Sequence, residues 1–102
     1  MTNSIQLTQQ QAQGLFERIG DDDQQSFLKY LMDYPGQQMD PEVIRQDLGF
    51  AEHRQVALAA YGIGEIASAL GLERPWIEGQ RGYTMDVETA NTLLQAAHSH
   101  NS

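Results

Sequence analysis

The stretch Trp76-Ile77-Glu78-Gly79-Gln80-Arg81-Gly82-Tyr83-Thr84-Met85 breaks the helical spacing of the residues before it and decides the fold. Two short runs, Trp76–Glu78 and Tyr83–Met85, are rich in aromatic and branched side chains. The four residues between them have glycine at both shoulders, the pattern of a β-hairpin. Trp76 and Tyr83, one on each run, are expected to meet as cross-strand partners in the core.

Upstream, Val56, Ala59, Ala60, Ile63, Ala67 and Leu70 recur by three or four residues, with Ile66 widening the stripe. This spacing predicts a helix from Glu52 to Leu70, ended by Gly71. Gly62 and Gly64 inside it cost about 2 kcal/mol together relative to alanines, so close packing against a neighbour or a local bend is expected. They are not a phosphate loop, because no strand precedes them and no third glycine or lysine follows at the required spacing. Before this helix, Asp40-Pro41 is a strong start signal, since proline has no N–H to leave unsatisfied in the first turn. A short helix follows, with Val43, Ile44 and Leu48 as its apolar face and Gly49 as its stop. Gln37-Gln38-Met39, after Pro35-Gly36, is long enough for one extended pairing segment.

Nearer the N-terminus, Asp21-Asp22-Asp23 precedes Phe27, Leu28, Tyr30, Leu31 and Tyr34. Carboxylates there suit the positive end of a helix dipole. Three consecutive carboxylates on a helix diverge and do not form a cation site. Gln9 to Ile19 forms an amphipathic helix capped by Thr8, with Ala12, Leu15, Phe16 and Ile19 on one stripe and glutamines on the polar face. Ser4 to Thr8 alternates like a short strand. After the hairpin, Asp86 caps a last helix in which Val87, Ala90, Leu93, Leu94 and Ala97 share a face. The tail His98 to Ser102 is polar and expected to be frayed, its two histidines included.

Composition narrows the classes. A chain of 102 residues makes one domain and buries about 65% of its unfolded surface, an adequate core without crosslinks. The absence of cysteine excludes disulfides, thiolate metal sites and thiol catalysis. No apolar run is long enough for a membrane span and no signal-peptide pattern opens the chain, so a soluble cytoplasmic protein is expected. Fourteen acidic residues against six basic ones give a net charge of −8. That balance opposes nucleic-acid binding, which draws its non-specific affinity from neutralised phosphates.

The order of elements over residues 22–85 is helix, short extended segment, short helix, turn, longer helix and hairpin. It resembles the winged helix-turn-helix family. The run Glu78-Gly79-Gln80-Arg81-Gly82-Tyr83-Thr84-Met85 is similar to the wing of response-regulator DNA-binding domains, although a single glycine separates Arg81 from Tyr83 and Thr84 stands where that wing has a second arginine. The whole chain also resembles a group of small uncharacterised bacterial winged-helix proteins that share the Leu7-Thr8 helix start and the Tyr83-Thr84-Met85-Asp86 exit. The resemblance implies an α+β, mostly helical winged helix-turn-helix: a three-helix core and a C-terminal β-hairpin wing. Residues 1–20 would be an N-terminal strand and helix, 86–97 an added C-terminal helix, and 98–102 the tail. It further implies that the short strand pairs with the hairpin and that the third helix is presented to the DNA major groove.

On that reading the candidate DNA-binding residues are His53, Arg54 and Gln55 at the start of the third helix, Gln80 and Arg81 at the wing tip, and Arg45 on the preceding helix. Arginine and glutamine can make bidentate pairs with guanine and adenine, and the wing can reach phosphate or minor groove. The three arginines also have a plainer role: Arg45 and Arg54 can pair with Glu42, Asp47 or Glu52, and Arg81 can be a solvated turn residue. No catalytic residue, metal ligand or cofactor site is identified, because His53 has no nucleophile placed with it and no deep cleft is expected. Two functions remain. One is a DNA-binding transcriptional regulator, a homodimer through its terminal helices. The other is an acidic winged-helix interaction module for a basic protein partner, with a DNA-mimicking inhibitor as its sharpest form.

Overall fold

The computed structural model describes residues 7–100. Helix α1 (Gln9–Arg18) begins at a reciprocal cap: the Gln11 N–H donates to the Thr8 hydroxyl at 3.1 Å, and the Thr8 N–H donates to the Gln11 side-chain oxygen at 3.0 Å. Helix α2 (Asp22–Asp33) begins at Asp21, whose carboxylate accepts from the Gln24 N–H at 3.2 Å. Asp22 and Asp23 lie in its first turn, as the dipole favours. Strand β1 (Gln38–Met39) leads to helix α3 (Pro41–Leu48), which Asp40 caps and Gly49 ends in the left-handed conformation. Helix α4 (His53–Ala69) is followed by strands β2 (Ile77–Gly79) and β3 (Gly82–Thr84) and by helix α5 (Val87–His100).

The three strands form one antiparallel sheet in the order β1-β3-β2. Met39 and Glu78 both pair with Tyr83, from opposite sides. The ladder between β2 and β3 closes at Gly79 and Gly82, leaving only Gln80 and Arg81 in the turn, so each hairpin strand is displaced by one residue from the expected run. Gly82 makes this possible: its φ of +147° suits glycine, and a Cβ there would overlap the Met39 carbonyl oxygen of β1.

Phe27 joins the sheet to the helices. Its ring meets Trp76 edge-on at 5.3 Å and Tyr83 at 5.1 Å, and Trp76 and Tyr83 lie 6.3 Å apart. The two aromatic residues of the hairpin therefore share one cluster, with Phe27 as the third member and Trp76 lying just before β2. Around it, α2 packs on α4, and α1 packs on α5. Leu15, Leu28, Leu31, Ile44, Ile63, Met85 and Leu93 are fully enclosed between these elements.

Several local expectations are corrected. In α5 the buried stripe is Ala90, Leu93 and Ala96 with Thr89, rotated from the expected face because α1 covers that side; Val87 and Leu94 are half exposed. Its helix runs to His100, two residues past His98 where the tail is expected to begin, and the rest of that tail, residues 101–102, lies outside the described residues. Val43 is exposed on α3 while Phe50, in the following turn, is buried. Tyr34 ends α2 outside its buried face. The strand expected over Ser4–Thr8 lies mostly outside the described residues, and Leu7 and Thr8 belong to no strand. No helix among the described residues is long and apolar enough to cross a membrane.

Candidate functional site

The six candidate residues fall into three places. The first is the corner between α3 and α4, where Glu42 gathers donors. The Arg45 guanidinium grips it through Nε at 3.0 Å and Nη2 at 2.7 Å, Gln46 Nε2 donates at 3.0 Å, and His53 Nε2 lies 2.8 Å from Oε1. The remaining Arg45 nitrogen, Nη1, donates to the Phe50 carbonyl at 3.0 Å. Hydrogen bonding from Arg45, outweighing partial desolvation, lowers the Glu42 carboxyl to about 2, with Gln46 and the charges of Arg45 and His53 adding to it. Arg45 is raised by the same contact. Its planar donors, the chemistry that could clasp a phosphate, are thus spent on the chain's own corner.

The second place is the start and outer face of α4. Gln55 is turned back on the chain, its side-chain oxygen accepting the Glu52 N–H at 2.9 Å. Val56, Ala59, Ala60, Ile63 and Ala67 face the core, so the helical period puts Arg54, Leu58, Tyr61 and Glu65 in line on the opposite side. Leu58 is 55% exposed and Tyr61 66% exposed. An apolar pair therefore occupies the middle of that face, between Arg54 and Glu65. Arg54 makes no hydrogen bond or ion pair with any described residue.

This face runs on toward the hairpin. The Arg74 side chain lies over Gly64, where an added Cβ would stand 3.1 Å from its Cδ. Arg74 Nη1 donates to Glu78 Oε2 at 2.7 Å, and Trp76 Nε1 donates to the same oxygen at 3.1 Å. Tyr61, Gly64, Glu65 and Arg74 line a shallow depression of about 180 Å³. Gly62 also has a close neighbour, since a Cβ there would overlap the Gln24 side-chain amide.

The third place is the hairpin tip, where Gln80 and Arg81 are exposed and have no side-chain partner among the described residues. The structure thus brings Arg45 and His53 together on Glu42, turns Gln55 inward as a cap, and leaves Arg54, Gln80 and Arg81 to solvent. Leu58 and Tyr61 do not stand out in the sequence because the regular apolar stripe of this helix is complete without them. Their signal was present: both stand on the helical face opposite Val56 and Ile63.

Among the described residues no group of three histidines or carboxylates could hold a metal ion. The fold and site define an α+β chain, mostly helical, with a small antiparallel sheet. No family model matches it, and neither the curated proteins nor the solved structures yield a significant match.

Proposed function

We propose that the chain is a winged-helix module that acts by protein contact, presenting the outer face of α4 to a basic partner. The element order and the β1-β3-β2 sheet support the winged-helix reading. The observation that carries the function is the pair Leu58 and Tyr61, exposed in the middle of the face that such a domain would turn toward DNA. Exposed aromatic side chains such as Tyr61 are enriched at protein interfaces, where a few of them carry most of the binding energy and apolar neighbours such as Leu58 help exclude water. A net charge of −8 over the whole chain favours a partner of positive charge, although Arg54 as well as Glu65 flanks the apolar pair.

A DNA-reading use of α4 together with the hairpin tip is the second reading. It rests on Arg54, Gln80 and Arg81, which remain free to meet base edges and phosphates. Titration of the full chain with mixed-sequence duplex and with a lysine- and arginine-rich amphipathic peptide, at two salt concentrations, separates the readings. The protein-contact reading expects peptide binding that Tyr61→Ala weakens by about 2 kcal/mol, as at a typical hot spot. Duplex binding that weakens with salt, and that Arg54→Ala reduces by about 1–3 kcal/mol, would establish the DNA reading instead.

A further inference from the structure

Strand β2 is the outer strand of the sheet. Its backbone pairs on one side only, with β3, it packs closely on no helix, and Ile77, Glu78 and Gly79 are all exposed. In the connection from α4 to this strand, Pro75 and Trp76 are buried and Arg74, just before them, is exposed. Arg74 touches both elements that the connection joins. On the helix side its stem rests on Gly64, where an added Cβ would stand 3.1 Å from Cδ and 3.3 Å from Cγ. On the hairpin side its guanidinium donates to Glu78 Oε2 at 2.7 Å.

The same Glu78 oxygen accepts the Trp76 indole N–H at 3.1 Å. Glu78 is therefore held from two directions, by an indole rooted in the core and by a guanidinium whose stem lies on α4. Glycine is a poor residue for the middle of a helix. At position 64 the space its missing side chain leaves is taken by the arginine stem, which could not lie so close to a larger residue.

We infer that Arg74 is a strap that ties the outer strand of the hairpin to α4, so that a displacement on the outer face of the helix is carried to β2. Arg74 acts here as a positioning residue: it makes one surface of the helix face that bears Leu58 and Tyr61 and the hairpin whose tip bears Gln80 and Arg81. The strap does not depend on what that surface binds. Its ion pair is 54% exposed on the arginine and 41% on the glutamate, so salt loosens it.

NMR of the isotope-labelled full chain tests the coupling, with the indole N–H of Trp76, the chain's only tryptophan, as reporter. Gly64→Ala suits a helix but crowds the arginine stem. It should move the Trp76 indole and Glu78 amide resonances, and in a chain that also carries Arg74→Ala it should leave both in place. Arg74→Ala by itself should speed amide exchange in β2 about two- to fivefold, the worth of an exposed ion pair, without speeding it in α5. Wild type in about 1 M salt should approach the exchange rates of that variant. The inference is overturned if Gly64→Ala moves neither resonance, or moves them equally without Arg74. Exchange in Arg74→Ala that stays at the wild-type rate, or that quickens as much in α5 as in β2, would overturn it as well.

Discussion

Glu42 shows how one side chain can set the role of several others. Its carboxyl, held at about 2 chiefly by the hydrogen bonds from Arg45, is lower in the folded state than its ordinary value of 4.5. A carboxylate lowered by folding stabilises the protein above its unfolded value, and that stabilisation is lost as pH falls toward the folded value. Glu42→Gln should therefore be less stable than wild type near neutrality, and the gap should close between about pH 4.5 and about pH 2; urea unfolding at several pH values measures it. A gap that stays constant with pH would mean the contact does not couple to folding. Tyr30 makes a second such contact, its hydroxyl donating to the exposed Asp47 at 2.5 Å in a half-buried hydrogen bond that ties α2 to α3. Burial, and then the Asp47 carboxylate, pushes this phenol up. Tyr30→Phe should cost about 1.5–3 kcal/mol, the range for hydrogen bonds to charged groups, in the same unfolding measurement.

At the level of elements, two glycines separate a demand of the backbone from a convenience of packing. Gly82 sits where the hairpin crosses β1, and the atom that blocks a side chain there is a backbone oxygen that cannot step aside. Gly82→Ala should cost more than about 2 kcal/mol and loosen the β1–β3 pairing, visible as faster amide exchange at Met39 and Tyr83. Gly62 faces the mobile end of Gln24, which can swing away, while alanine recovers about 1 kcal/mol of helix propensity. Gly62→Ala should leave the melting temperature unchanged or raised. The caps at Thr8, Asp21 and Asp40 and the stop at Gly49 were legible in the sequence because they depend on neighbours a few residues away. The rotation of α5 was not legible: whether Leu94 or Ala96 turns inward depends on where α1 lies, and periodicity alone accepts either. The pairing of Arg45 with Glu42, three residues apart on one helix, was legible as Arg45's plainer role; the place of His53 was not, since it reaches Glu42 only after the chain has turned the corner at Gly49.

For the whole molecule, charge and shape act together. A chain of net charge −8 repels phosphate at long range, yet it spends one of its six cations on an internal corner and another, Arg74, on Glu78. What remains on the outer face of α4 is an apolar centre, Leu58 and Tyr61, between Arg54 and Glu65. Leu58→Ala and Tyr61→Ala, both at exposed positions, should leave thermal unfolding within about 0.5 kcal/mol of wild type while removing binding to a basic protein partner. The most direct test of protein contact through α4 is a residue-resolved NMR titration of the isotope-labelled full chain, first with a basic amphipathic peptide and then with mixed-sequence duplex DNA at low salt. If α4 binds a basic protein, the peptide shifts the amides of α4 from Arg54 to Glu65 and the duplex leaves them unmoved; duplex-induced shifts at Arg54 and Arg81, with the peptide silent, would contradict that role.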